Sequence, residues 1–368
     1  MARTNRDNFH SYANEHVVPN LFSGVFKFPT LLSVLSMKGA TEGKLGRPGS
    51  SLMLGKRLSP AKRESMRGST QYVGFFHSGT VGGGKWIGED DTGASAGAER
   101  QNKKKKSYYV SWAEHEQPIA IQNTVLDANQ GASKIGSVLE DAVGMAVEEQ
   151  VETLATSVFT GAPSDQTAEV VDNLIGLDTW IHDSNTVGGV DRSQAANANF
   201  RGRRSTASLA LSLKLIDDIC IKGVDDGSAG TTTPLLRHGS KADIIITDET
   251  NYNTLKQEAI SRQLGRAVPG SSQPSGGQVG FVGEYVDYNG KCIVPDPYAA
   301  ANSLYVLDSS SWLFQTFGGK NFSTQKFVNL RENQPGTGQP DLTTSAVVTK
   351  ARLICTEPWK NFHGTAVS

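Results

Sequence analysis

The amino-acid sequence predicts an α+β fold, and three stretches carry that prediction. Ile135, Val138, Leu139, Ala142, Val143, Ala146, Val147, Val151, Leu154, Ala155 and Val158 recur at three- and four-residue steps, the period of one helical face. Glu140, Asp141, Glu148, Glu149 and Glu152 take the remaining positions. The pattern predicts a helix over about 128–158, ending before Gly161-Ala162-Pro163 and ~45 Å long at 1.5 Å per residue. In the second stretch, the apolar run Ala242–Thr247 leads through Asp248 as N-cap into a helix from Glu249 to about Gln263, a buried strand followed by a helix. In the third, Asn289-Gly290 sits between the strand-like runs Gly280–Tyr288 and Lys291–Pro295. Asn-Gly supplies the two positive-φ positions of a tight hairpin turn.

A chain of 368 residues has room for two or three packed units. Its 37% hydrophobic content, raised by 39 glycines, is globular and excludes a disordered chain or a disulfide-stapled mini-protein. Lys+Arg 36 against Asp+Glu 37 leaves a net charge of −1, so no global field steers the molecule onto nucleic acid or anionic lipid. No stretch approaches the ~20 apolar residues of a membrane span, and no signal-type apolar run follows the N-terminus. The expectation is a soluble, non-secreted protein. Cys220, Cys292 and Cys355 lack the short paired spacing of metal or redox motifs, and read as buried small hydrophobes in a reducing compartment.

The neutral total hides a segregation. Lys38 to Ser107 holds fourteen Lys/Arg against six Asp/Glu, a local charge of +8, and the block ends in Lys103-Lys104-Lys105-Lys106. Ile135 to Asp191 holds eleven carboxylates and no Lys or Arg. Two long blocks of opposite sign in one chain attract a second copy head to tail.

Residues 1–60 scatter Phe9, Tyr12, Leu21-Phe22, Val25-Phe26, Phe28 and Leu31-Leu32 without sustained periodicity. They read as an extended arm with one amphipathic piece around Thr30–Met37, whose apolar side chains must be buried on something. Gln71–Phe76 and Ser107–Trp112 read as two strands of a long hairpin around a loop from Ser78 to Lys106. That hairpin has few residues for a core of its own and would be mobile in isolation. Further on, short helices are expected at Val170–Thr179 and Thr206–Lys222, and closing strands at Leu304–Leu307, Trp312–Phe314 and Ala346–Ile354.

Motifs for chemistry are incomplete. Gly79-Thr80-Val81-Gly82-Gly83-Gly84-Lys85 fits a phosphate loop up to its lysine, but Trp86 stands where a magnesium-binding hydroxyl is required. Gly93-Ala94-Ser95-Ala96-Gly97 matches a nucleophile elbow without the strand and helix that give the elbow its mechanics. His115-Glu116 lacks a second histidine four residues on. Asn321-Phe322-Ser323 is a glycosylation sequon in letters only. A hydrolase using Ser95 or Lys85 is therefore the minor reading, and no catalytic, metal or cofactor residue is assigned. Lys103–Lys106 with Tyr108, Tyr109 and Trp112 reads either as a nucleic-acid stretch with stacking aromatics or as an edge strand guarded by lysines.

The order of arm, charged hairpin, long helix, α+β block and closing strands resembles the major capsid proteins of tailed bacteriophages, the Hong Kong 97 fold. Gly176–Ile181, Thr186–Ser193 with its Gly188-Gly189-Val190-Asp191-Arg192-Ser193 turn, and Phe200-Arg201 are similar to that family's pattern. So are Ala242–Thr247 leading into Asn251-Tyr252-Asn253-Thr254-Leu255, and Tyr288-Asn289-Gly290 followed by Ile293–Pro297 and Asn302–Leu307. Asn199 stands where relatives often carry tryptophan. No long helical segment precedes the arm, which implies a separate scaffold protein or an arm and hairpin that suffice.

The resemblance implies an N-arm at 1–55, an E-loop at 56–120, a peripheral domain at 121–169 and 319–368 that contains the long spine helix, and an axial domain at 170–318. It implies pentamers and hexamers closing an icosahedral virion shell around double-stranded DNA, assembled in the host bacterial cytoplasm, with scaffold, portal and decoration proteins as further partners and no membrane. An encapsulin-type compartment is the alternative of the same fold. The residues expected at contacts between subunits are Lys103, Lys104, Lys105, Lys106, Tyr108 and Trp112 of the hairpin, Glu140, Glu148, Glu149 and Glu152 of the helix, and Phe22 and Phe26 of the arm.

Overall fold

The computed structural model describes residues 71–78, 104–128, 132–166, 170–222, 235–264, 279–282, 285–289, 291–317, 320, 322–330 and 341–367. The arm with Phe22 and Phe26, the glycine-rich loop with Lys85 and Ser95, and Lys103 lie outside the described residues. In chain order the strands are β1 (Gln71–Ser78), β2 (Lys104–Gln122), β3 (Val170–Val171), β4 (Thr186–Val187), β5 (Val190–Asp191), β6 (Arg203–Ser205), β7 (Ile244–Thr247) and β8 (Val279–Val282). They continue as β9 (Tyr285–Tyr288), β10 (Lys291–Pro295), β11 (Leu304–Leu307), β12 (Trp312–Thr316), β13 (Ser323–Thr324), β14 (Val328–Asn329), β15 (Leu342–Cys355) and β16 (Phe362–Gly364). The helices are α1 (Asn123–Ala128), α2 (Ala132–Thr160), α3 (Leu177–Trp180), α4 (Leu213–Asp217) and α5 (Glu249–Leu264).

Two seven-stranded sheets organise the chain. In the first, β15 runs antiparallel to β2 from Leu342↔Gln122 to Ala351↔Ala113, and its other edge takes β14, β13 and β12 in turn. The expected long helix is α2, 29 residues lying on this sheet. Leu139, Val143, Val147, Val151, Leu154 and Val158 are buried, each contributing roughly 1.5–3 kcal/mol of gross burial free energy. Asp141, Glu148, Glu149 and Glu152 are exposed.

The second sheet runs β6-β16-β11-β7-β10-β9-β8. Alternate residues of its central strands serve different cores, as the period of two requires. Ile244, Ile246, Tyr305 and Leu307 join the core of the first sheet, whereas Ile245, Leu304 and Val306 pack with Leu213 and Ile216 of α4 and with Tyr252, Leu255 and Ala259 of α5. Both faces are covered, which is why the run at 244–247 is apolar without alternation. The Asn-Gly hairpin forms as expected, with Tyr288 opposite Lys291 and Asn289 at φ 52°.

Four expectations are corrected. Val170–Thr179 is not one helix: Val170 and Val171 pair in parallel with Trp112 and Ala113, and only Leu177–Trp180 makes a helical turn. Asp172 accepts bonds from Ser164, and Asn173 Oδ1 caps the Leu174 amide at 2.8 Å, local bonds that compete with a helix. The helix expected from Thr206 begins at Leu213, where the Ser212 hydroxyl accepts from Leu215 N at 3.1 Å as N-cap. Gly280–Tyr288 is two antiparallel strands with Val282 opposite Tyr285, glycine being a weak strand former. The hairpin, finally, does have a core at its root. Phe76, Tyr108, Val110 and Trp112 are all buried within the chain.

That root depends on one glycine. Gly74 lies opposite Tyr108 in the ladder, and a Cβ there would stand 2.2 Å from the Tyr108 ring. The ring, wedged against Phe200 and Trp180, has nowhere to go. Gly74→Ala is expected to destabilise the chain by about 1–3 kcal/mol, read as a lowered urea midpoint, and Gly74→Ala combined with Tyr108→Leu is expected to recover much of that loss.

Candidate assembly surface

Period-two alternation gives the hairpin two unlike faces. Tyr72 and Phe76 of β1 with Tyr108 and Val110 of β2 turn inward, and Phe76 stacks on Phe200 at 4.5 Å. Val73 and Phe75, 53% and 69% exposed, turn outward. They sit opposite Tyr109 and Ser107, with Lys105 opposite His77. The outward face is therefore an apolar strip with a lysine at its far end.

A second tight turn holds the hairpin down. β4 and β5 are joined through Gly188 and Gly189 at φ 58° and 77°, both central positions of a hairpin turn that only glycine adopts freely. Gly188 O accepts from Tyr109 N at 3.2 Å, and a Cβ on Gly188 would stand 2.5 Å from Tyr109 O. Arg192 follows this turn, fully buried. Its Nη1 donates to Trp180 O at 2.7 Å and His182 O at 3.0 Å, and its guanidinium lies 5.0 Å from the Phe200 ring centre and 5.7 Å from that of Trp180. Arg201 Nε in turn donates to Arg192 O at 2.6 Å. The Gly-Gly-Val-Asp-Arg-Ser turn and the Phe-Arg pair are thus one structural unit, a buried cation between two aromatic rings.

A second buried cation sits under β2. Arg352 lies 4.0 Å over the Trp112 ring and donates to Gln315 Oε1 at 2.7 Å. Burial pulls both guanidinium groups down to about 10, which leaves them cationic at neutral pH. Burial likewise pushes the Cys355 thiol up to about 12, so it stays protonated. Cys220 and Cys355 are buried and Cys292 is partly so, as expected of small hydrophobes, and none of the three is in a disulfide. Among the described residues no group of three or more His, Cys, Asp or Glu could hold a metal ion, and no helix is long and apolar enough to cross a membrane.

The residues expected at subunit contacts separate into three groups. Tyr108 and Trp112, each 1% exposed, belong to the chain's own core. This corrects their assignment as contact residues and removes them as stacking platforms for nucleic acid. Lys104 opens β2, Lys105 is exposed, and Lys106 is half-buried with its Nζ 2.9 Å from Asn197 Oδ1. Glu148, Glu149 and Glu152 project from α2, with Glu140 half-buried, and Glu149 accepts from Gln117 of β2. Lys105 is twelve residues from Gln117 along β2, ~40 Å of extended strand. Lys105 therefore lies far along β2 from the point where Glu149 meets the strand. Val73 and Phe75 were missed as candidates. The adjacent Phe75-Phe76 pair in a strand necessarily sends one ring to each face, and that was the signal for them.

Sequence comparison is silent: no family model and no curated protein matches the chain. Structure comparison is not. A chain of the cyanophage A-1(L) capsid asymmetric unit matches with a TM-score of 0.56 at 12% identity, over 88% of this chain and 96% of that one. The chain has the Hong Kong 97-type fold of phage capsid proteins. Looser likenesses at 10% identity are to the holo-SrpI encapsulin complex from Synechococcus elongatus PCC 7942 (TM-score 0.47, covering 90% of this chain and 94% of that one) and to Mycobacterium phage Bobi (0.46, covering 82% and 86%). In this fold the Arg192 unit is a clamp that fixes the hairpin root to the body of the chain.

Arg192→Met removes the Arg192 donor from the Trp180 carbonyl and leaves the His182 carbonyl with the Gly202 amide, and is expected to lower unfolding free energy in urea by about 2–4 kcal/mol. Arg192→Lys keeps the charge but not the planar fork, and is expected to recover only part of that loss.

Proposed function

We propose that this chain is the major capsid protein of a tailed bacteriophage, assembling into pentamers and hexamers that close an icosahedral shell around double-stranded DNA. The observation that carries this reading is the end-to-end likeness of fold, 88% of this chain on 96% of a cyanophage capsid chain. In this reading 1–55 is the N-arm, 56–120 the E-loop, 121–169 with 319–368 the peripheral domain, and 170–318 the axial domain. The shell is the virion capsid, put together in the host cytoplasm. DNA contact is independent of sequence, and scaffold, portal and decoration proteins are separate partners.

Two features of the chain support contact between copies. The hairpin presents Val73, Phe75 and Lys105 outward from a root clamped within its own subunit. The acidic face of α2 has no basic residue in the block from Ile135 to Asp191. The hairpin of one copy lies on the acidic helix of the next, so that charge sets register while apolar side chains supply affinity. A single exposed ion pair is worth only about 0–1 kcal/mol, and many copies make the sum.

The test is the purified chain expressed alone, followed by sedimentation and electron microscopy at low and high salt. Closed shells or rings of five and six are expected at low salt, and their loss is expected as the Debye length falls from ~10 Å at 0.1 M towards ~3 Å at 1 M. Lys105→Glu is expected to reduce assembly and Glu148→Lys with Glu149→Lys to restore it in that background. A monomer under every condition, with or without added scaffold protein, refutes the reading. Particles filled with a protein cargo instead of nucleic acid refute its DNA-enclosing part.

A further inference from the structure

His363 occupies the place where the two halves of the chain meet. On β16 it lies opposite Tyr305 of β11 on one side and Arg204 of β6 on the other. Its ring stacks on Tyr305 with centroids 4.2 Å apart and planes 12° apart. Tyr305 touches Phe159 at the end of α2, with ring centres 5.5 Å apart, and donates through Oη to Asp178 Oδ1 of α3 at 2.7 Å. The second sheet thus reaches the helical layer of the first through Tyr305, Asp178 and His363.

His363 is 2% exposed, and among the described residues neither ring nitrogen has a hydrogen-bond partner. Nδ1 is 3.4 Å from Asp178 Oδ1, within reach of an ion pair but without hydrogen-bond geometry, and that oxygen already accepts from Tyr305. Buried polar atoms are nearly always satisfied, so two open nitrogens in one side chain are a place where a proton changes the balance. Among the described residues the charged groups around the ring are the Asp178 carboxyl of α3, the Arg204 guanidinium of β6, whose Nε has no partner among them, and His182 just beyond α3. Two of these three are cations or become so in acid.

We propose that His363 is an acid-sensitive latch between the second sheet and the α2–α3 layer, which holds the two halves together while the imidazole is neutral and releases them when it takes up a proton. The proton would add a positive charge and a second N–H donor to a site with one shared acceptor and a neighbouring guanidinium. Opening the junction lets water solvate both. The sign follows from burial, which lowers the His363 pKa from 6.5 to about 3, with Arg204 and His182 adding to the effect. The closed form is then fully favoured above 6.5 and loses ground as pH falls from there towards about 3. At about pH 5 the closing equilibrium is weakened about 30-fold relative to pH 8. Asp178 acts the other way: burial raises its pKa, so its own protonation in the closed state favours closure at lower pH. The latch belongs to the folded chain and stands whether or not the chain forms shells.

Hydrogen exchange on the full chain at about pH 8 and pH 5, corrected for intrinsic rate, reads the latch directly. Protection is expected to fall about 30-fold in 177–182, 203–205, 304–307 and 362–364, and to hold in the β2–β15 ladder. His363→Phe keeps the stack on Tyr305 without a titrating group and is expected to abolish the pH effect, and His363→Gln is expected to do so too. Asp178→Asn is expected to enlarge it. An NMR titration of the His363 imidazole in the unaltered chain serves if the variants do not fold, with a midpoint well below 6.5 expected. Equal loss of protection in the His363 variants, uniform loss across all segments, no loss at all, or an imidazole titrating near 6.5 would overturn the proposal.

Discussion

Strand β2 belongs to two structures at once, and the rest of the molecule is arranged around that fact. Its first half pairs with β1 in the hairpin, and its second half pairs with β15 in the sheet that carries α2. A strand is stiff along its length and reverses side-chain direction at every residue, so the hairpin's position follows from the sheet it grows out of. The ten ladder pairs between β15 and β2 anchor an element that cannot bury enough surface to order itself. An arm projecting from a subunit can engage a neighbour in a fixed register only if its root is fixed.

Two buried arginines reinforce that root. Arg192 ties the Gly188-Gly189 turn and the Trp180 segment beneath Tyr108 and Phe200, and Arg352 lies between Trp112 and Gln315. Burying a cation costs several kcal/mol before any partner is counted. The arginines therefore stabilise only while their carbonyl and amide partners stay in place, and removing either one alone strands those partners. What they add is geometry, because a planar fork with fixed donors accepts only one arrangement of the carbonyls around it. The body of the chain is specified at the point from which the hairpin projects, while Val73, Phe75 and Lys105 lie on the hairpin's outward face.

The parts of this fold that rest on local periodicity were legible in the sequence. The α2 stripe, the apolar run 244–247 and the Asn289-Gly290 turn each combine a period with a terminating residue, and each formed within a few positions of its expected bounds. What could not be read was decided by side chains bonding to nearby backbone. Asp172 and Asn173 converted an expected helix into a short strand and turns, and Ser212 delayed another by several residues. The exposed candidates were half legible. Charge segregation pointed to Lys105 and the α2 carboxylates, but composition alone cannot tell which aromatic of a strand faces inward, so Tyr108 and Trp112 were placed on the surface while Phe75 was overlooked. His363 and Arg352 carry no motif. Their burial follows from strand pairings more than forty residues distant in sequence, Tyr305 for the one and Ala113 and Trp112 beside it for the other.

The central claim is that the hairpin of one copy meets the acidic helix of another. Zero-length carbodiimide crosslinking of particles assembled from equal parts of isotopically light and heavy chain tests it most directly, because mixed-isotope products can only arise between copies. The account predicts mixed light–heavy links joining Lys105 to Glu148, Glu149 or Glu152. Assembled particles in which these carboxylates crosslink elsewhere, or in which Lys105 links only within its own chain, would contradict it.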